Sequence, residues 1–187
     1  MSQTFTGLAQ RALSIMTSSA QFTPKDQEII SQFKDQLLQL RDAMVKEFYD
    51  SLFANPATAA IFQPGERQAR EKSLADWWTR TIEGPVNDDY WAWQSYVGLL
   101  HVKRQVTNAT MFSQIMFLIS FLRRHFPGQD ELLGALERLL ASVAAVIAHS
   151  YDVFVAKTVE RVTGVSDALF AQQVAVGVDE LLRDFKR

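Results

Sequence analysis

Cysteine is absent from this chain of 187 residues, and histidine occurs at three positions. The first absence excludes disulfides, thiolate metal sites, cysteine nucleophiles and thioether-linked cofactors, so any cofactor is held non-covalently or by other residues. A cationic stripe is missing as well. The formal charge is −2 and the basic residues are scattered, which argues against a nucleic-acid partner. The N-terminal apolar stretch is too short for a secretory signal, and the most apolar window, residues 139–156, contains His149 and Asp152. No membrane partner is therefore expected, and the location read from the sequence is cytoplasmic. Strand-like alternation of useful length is also lacking.

What remains is an apolar chain with helical periodicity. Hydrophobic residues make up 48%, enough for one core in a domain of this size. Three breaker clusters divide it, at Pro64-Gly65, at Gly84-Pro85 with Asn87, and at Pro127-Gly128. Thr23-Pro24 reads as a cap followed by proline at the first helical position, opening one or two consecutive helices with Ile30, Phe33, Leu37, Met44, Phe48 and Leu52 on a common face. Further helices are expected over 66–83, over a shorter 88–101 ending at His101, from a cap at Asn108, over 130–162, and over 166–185. The class is all-α. Unequal helices, with a short one ending in histidine before two long apolar ones, fit a fold that encloses a cofactor better than a regular bundle.

Taken alone, His101 is weak evidence, because a lone histidine near a helix end is usually a packed or capping residue. Its company matters more. Phe48, Phe62, Leu74, Trp77, Trp78, Val97, Met111, Phe112, Ile115 and Met116 supply enough large apolar surface to line a flat cavity, although each by itself also suits a plain core.

Two stretches carry a more specific signal: "FYDSLFANPATAAIF" at 48–62 and "IEGPVNDDYWAWQSYVGLLHVKRQV" at 82–106. With the long apolar helices that follow, they resemble the sensor globin lineage, the haem domains of globin-coupled sensors and the related protoglobins. The likeness rests on an aromatic Phe-Tyr pair, a turn bearing glycine and paired aspartates, and a Val-Gly step leading to histidine, and it spans residues 24–162. It implies a globin-like fold with an N-terminal extension helix at 1–23, a globin sensor domain at 24–163 with long G and H helices, and a C-terminal helix or signalling linker at 164–187.

The resemblance also implies roles. His101 becomes the axial ligand of a b-type haem (iron protoporphyrin IX), with the opposite face open to oxygen, carbon monoxide or nitric oxide. Tyr49 matches a distal tyrosine that donates to bound oxygen, against the alternative of a core tyrosine bonded to a carbonyl. Phe48, its neighbour, belongs to the same cofactor-binding set but is expected to face elsewhere on the helix. Ser73 matches the place of a second distal hydroxyl, though mid-helix it also suits a bond to its own backbone. Arg70 departs from the apolar residue associated with that position, and Met111 stands where some members have a proximal aromatic. Lys103 and Arg104 are candidate partners for haem propionates. His125 reads as surface, and His149 has no assigned role.

The function so implied is reversible gas binding for sensing and signal transduction, without enzymatic turnover, since no acid–base pair can be identified. The lineage dimerises through its last two globin helices, and Gly134, Ala141, Ala144, Ala145 and Ala148 offer the small residues that close packing needs. A signalling output domain or protein is the implied partner. Two alternatives stand beside this reading: a globin-shaped interaction module that has lost its haem, and a haem enzyme such as a nitric oxide dioxygenase or peroxidase.

Overall fold

A computed structural model describes residues 3–185; the terminal pairs 1–2 and 186–187, which fall in the two expected end segments, lie outside the described residues. Ten α-helices follow one another: α1 (Gln3–Ser14), α2 (Pro24–Gln32), α3 (Lys34–Gln39), α4 (Arg41–Ala54), α5 (Pro56–Ala59), α6 (Arg67–Glu83), α7 (Asp88–Arg104), α8 (Asn108–His125), α9 (Asp130–Thr163) and α10 (Asp167–Asp184). No strand occurs among the described residues.

The helix starts follow from capping chemistry. Thr23 and Asp26 form a capping box with Pro24 at the first helical position, satisfying amide donors that have no partner inside the helix. Asn87 accepts from the Tyr90 amide and so opens α7. The cap of α8 is Thr107 rather than the expected Asn108: Thr107 is extended, and its hydroxyl accepts from the Thr110 amide. The segment after Thr23 breaks at Phe33 and again at Leu40, giving three helices where one or two were expected. The seven-residue spacing of Ile30, Leu37 and Met44 nonetheless keeps one buried face through both breaks.

The expectation for α7 also changes. It runs one turn past His101 to Arg104, matching α6 at 17 residues, and ends where Gln105 enters the left-handed region at φ 56°. His101 therefore sits inside the last turn, held by regular helix on both sides.

The centre of the molecule is α9, on which α1, α2, α7 and α8 pack. Its length and mean hydropathy would suffice to cross a membrane, yet twelve of its residues are buried inside this fold. Asp26 and Arg138 join α2 to α9. Burial alone would raise the Asp26 pKa, but the hydrogen bonds from Arg138 and Thr23 outweigh it and hold the carboxyl below its usual range. At the other end of the chain, α10 buries none of its residues.

Candidate functional site

The helices α6 and α7 leave the 84–87 turn together, Gly84 taking φ +66° at the end of α6. Near the turn they are bonded by Thr81 to Tyr90 (3.1 Å between hydroxyls) and by the Trp77 indole donating to Gln94 Oε1 (3.3 Å). At their far ends Arg104 donates to Glu66 (2.6 Å). Between these bonds lies a cavity of about 480 Å³, within the range of small-molecule and cofactor sites.

Helical spacing explains who faces it. From α6 come Arg70, Ser73, Leu74, Asp76 and Trp77, and from α7 come Trp93, Val97, Leu100, His101 and Arg104; within each set residues recur at three or four positions and so form one stripe. Phe48, Tyr49 and Leu52 of α4, with Ile61 and Phe62 beyond α5, close one side. Met111, Ile115 and Leu118 of α8 and Val143 and Ile147 of α9 form the floor. A groove elsewhere, between α4 and α6, is lined by charges already in ion pairs, Lys46 with Asp50 and Arg67 with Asp50 and Glu71.

Ten of the residues expected from the sequence to contact a cofactor thus converge: His101, Tyr49, Phe48, Phe62, Ser73, Leu74, Trp77, Val97, Met111 and Ile115. Phe48 lines the cavity beside Tyr49, their rings 5.4 Å apart edge to face, so it does not face elsewhere. Lys103 is exposed and does not line the cavity, whereas Arg104, one residue on, does. Three other apolar candidates are placed differently. Trp78 is fully buried with its indole donating to the Leu37 carbonyl (3.0 Å), filling the contact of α6 with α3. Phe112 and Met116 point outward from α8.

Burial pushes the His101 imidazole down to about 4, with no charged or hydrogen-bonding neighbour contributing to the shift among the described residues. At neutral pH the ring is uncharged and keeps a basic lone pair. Burial pushes the Tyr49 phenol up to about 12, Arg70 opposing the rise in part, so Tyr49 stays a donor. Its hydroxyl donates to the Arg70 carbonyl (3.0 Å). Ser73 donates to the Ala69 carbonyl (2.9 Å), the backbone bond open to a helical serine. His125 stacks on Phe121 at the surface, and His149 has a buried Nε2 without a hydrogen-bond partner among the described residues.

An all-α chain that holds a histidine and a broad apolar cavity between two consecutive helices has a globin-like architecture. More narrowly, the chain belongs to the protoglobin family, whose family model matches residues 10–124, from the middle of α1 to the last turn of α8. No curated protein matches it. Membership indicates a haem-binding globin for gas binding, in a family made up mainly of gas-binding globins rather than classical enzymes.

Proposed function

We propose that the chain binds b-type haem in the cavity between α6 and α7, with His101 as the axial ligand, and that it reversibly binds oxygen, carbon monoxide or nitric oxide as a cytoplasmic sensor. The observation that carries this is a neutral, half-buried imidazole on the wall of an apolar cavity whose mouth holds two arginines. The donor set fits the group: aromatic and aliphatic walls suit a porphyrin face, and guanidinium suits its carboxylates. Among the described residues no three histidine, aspartate or glutamate side chains cluster as a metal site, so a metal held at His101 must bring its other ligands with it. When bound, haem would supply an iron able to take up a diatomic gas.

Absorption spectra of the ferric, ferrous and carbonyl forms test the proposal. Stoichiometric haemin uptake with a Soret band supports it. A chain that takes up no haemin would instead be a haem-free interaction module.

Tyr49 would be the donor this chain offers a gas held in the cavity, provided its hydroxyl left the Arg70 carbonyl, whereas Ser73 is bonded to its own backbone. A hydrogen bond to a charged partner contributes about 1.5–3 kcal/mol. Tyr49→Phe is therefore expected to speed oxygen release by about tenfold or more while barely altering carbon monoxide release. Equal changes for both gases in rapid-mixing measurements would point to altered access to the cavity instead of a lost hydrogen bond.

The sensing part of the proposal rests on connectivity. The helix α9 lines the cavity through Val143 and Ile147, packs against α7, and leads through Gly164 into the exposed helix α10, where an output partner would act. The proposed homodimer uses the outer faces of α8 and α9. Phe112 and Met116 are exposed there, one turn apart, while Ala141, Ala145 and Ala148 are only half-buried. Ala144 belongs to the chain's own core at 4% exposure and is unsuitable as an interface probe. Phe112→Glu with Met116→Glu would place unpaired charge in the contact. The variant should sediment as a monomer with unchanged helical circular dichroism at tens of micromolar, where the parent is a dimer.

A further inference from the structure

Two arginines on the cavity wall share a single carboxylate oxygen. Arg70 and Arg104 both line the cavity, and both approach one oxygen, Glu66 Oε1, at 3.2 and 2.6 Å. The second Glu66 oxygen accepts from the Gln63 amide. Arg104 has hydrogen-bond geometry to Glu66. Arg70 does not: its Nε is buried and has no hydrogen-bond partner among the described residues, although the carboxylate lies within ion-pair distance. A buried guanidinium donor without an acceptor is costly, and here two cations share one carboxylate oxygen, while Asp76, a carboxylate of the lining itself, is paired with Lys72. Glu66 itself is the best shielded of the three side chains, at 15% exposure.

The same contact spans the site. Glu66 immediately precedes α6 and Arg104 ends α7, so their bond ties the two walls together at the end opposite the 84–87 turn. With the two arginines taken, as proposed above, to hold the carboxylates of the cavity's occupant, we infer that Glu66 is a built-in placeholder, clasping the mouth until a ligand carboxylate displaces it. The inference rests on the haem reading for the identity of that occupant. Its logic is exchange: an incoming carboxylate takes over the bond from Arg104 and supplies the acceptor that Arg70 Nε lacks, while Glu66 turns toward solvent. Glu66 therefore stabilises the empty chain and competes against the loaded one.

The test uses protein loaded with haemin or with haemin dimethyl ester, whose carboxylates are blocked, and follows loss of the group to an excess of a haem-scavenging apoprotein. The parent should retain the free acid about tenfold longer than the ester, as expected for charge-assisted hydrogen bonds. Arg104→Gln should bring the two rates close together. Glu66→Gln should slow loss of the free acid severalfold, leave the ester rate nearly unchanged, and lower the melting temperature of the unloaded chain. Faster loss of the free acid from Glu66→Gln would overturn the placeholder role. A preference for the free acid that survives Arg104→Gln, or no preference in the parent, would overturn the arginines' hold on those carboxylates and the placeholder role with it. Either result leaves haem binding itself intact, whereas a parent that takes up neither compound fails the haem reading first and this inference with it.

Discussion

Replacing His101 with alanine is expected to abolish stable haem retention. Removing even a residue that only orients a metal ligand typically costs 10- to 100-fold in affinity, so deleting the ligand itself should speed haem loss by more than about a hundredfold. The expected observation is a weak, broadened Soret band that free imidazole partly restores, since the truncated side chain leaves space in the cavity wall. An unchanged ferrous spectrum that keeps an iron–imidazole stretching band would remove His101 from the role.

A second readout needs no haem. Burial lowers the His101 pKa from 6.5 to about 4, so between these values the unfolded chain binds a proton that the folded chain refuses. Stability of the unloaded protein should accordingly fall as pH drops from about 6.5 toward 4. His101→Leu, which fills the wall without a titratable group, should flatten that part of the pH profile measured by denaturant unfolding. A profile that His101→Leu leaves as steep as before would show that the ring is not held neutral by burial.

Much of the site could be read from spacing because helices repeat their faces. Leu74 and Trp77 on α6, and Val97 and His101 on α7, share a side with the cavity, and the 3.6-residue period places them together before any tertiary contact is known. The same period would also have indicated Trp93 and Leu100. It could not place Trp78: a neighbouring tryptophan is rotated by about 100° around the helix, and only the packing of α3 shows that this face is the deeper one. Phe112 and Met116 carried the opposite ambiguity, since an apolar residue on α8 can face a cavity or a partner. Lys103 and Arg104 differ by the same rotation, and that rotation puts Arg104 on the cavity and Lys103 in solvent.

Charge partners far apart in sequence were less legible. Nothing local links Glu66 to Arg104, and the pairing exists because the 84–87 turn returns the chain so that α6 and α7 share a mouth. The same holds for the phenol of Tyr49. Its residue type indicated a donor, but its acceptor, the Arg70 carbonyl, depends on how α4 meets α6. From α6 onward helix ends were legible to within a turn, the expected uncertainty when two capping residues such as Thr107 and Asn108 adjoin, whereas the N-terminal helix expected over 1–23 ends at Ser14 and the next segment breaks at Phe33 and Leu40.

Gly98→Val is expected to be among the most damaging single substitutions in the chain. A Cβ at Gly98 would lie 2.8 Å from the Ile147 carbonyl oxygen, 2.9 Å from Ser150 Cβ and 3.2 Å from the Tyr151 amide nitrogen. Two of these three atoms are backbone of α9, the central helix, so they cannot move aside like the tip of a flexible side chain. The glycine in the Val-Gly step before His101 is thus explained by close approach of two helix backbones. Alanine at a helical glycine gains about 1 kcal/mol in propensity, but overpacking typically costs 1–3 kcal/mol or more, and here the clash should win. Gly98→Ala should destabilise modestly, and Gly98→Val, with two further methyls, by about 3 kcal/mol or more.

Function should suffer beyond stability, because His101 lies less than one turn further along α7 and Ile147 is itself part of the cavity floor. Haem loss should speed up even under conditions where the variant remains folded. Gly134→Ala supplies the control on α9, where an added Cβ would meet only the guanidinium end of Arg138, at 3.4 and 3.9 Å. That variant should be neutral or stabilised by up to about 1 kcal/mol. Thermal unfolding and haem loss measured side by side decide the matter. If Gly98→Ala and Gly134→Ala behave alike, close approach of α7 to α9 is not what requires glycine before the histidine.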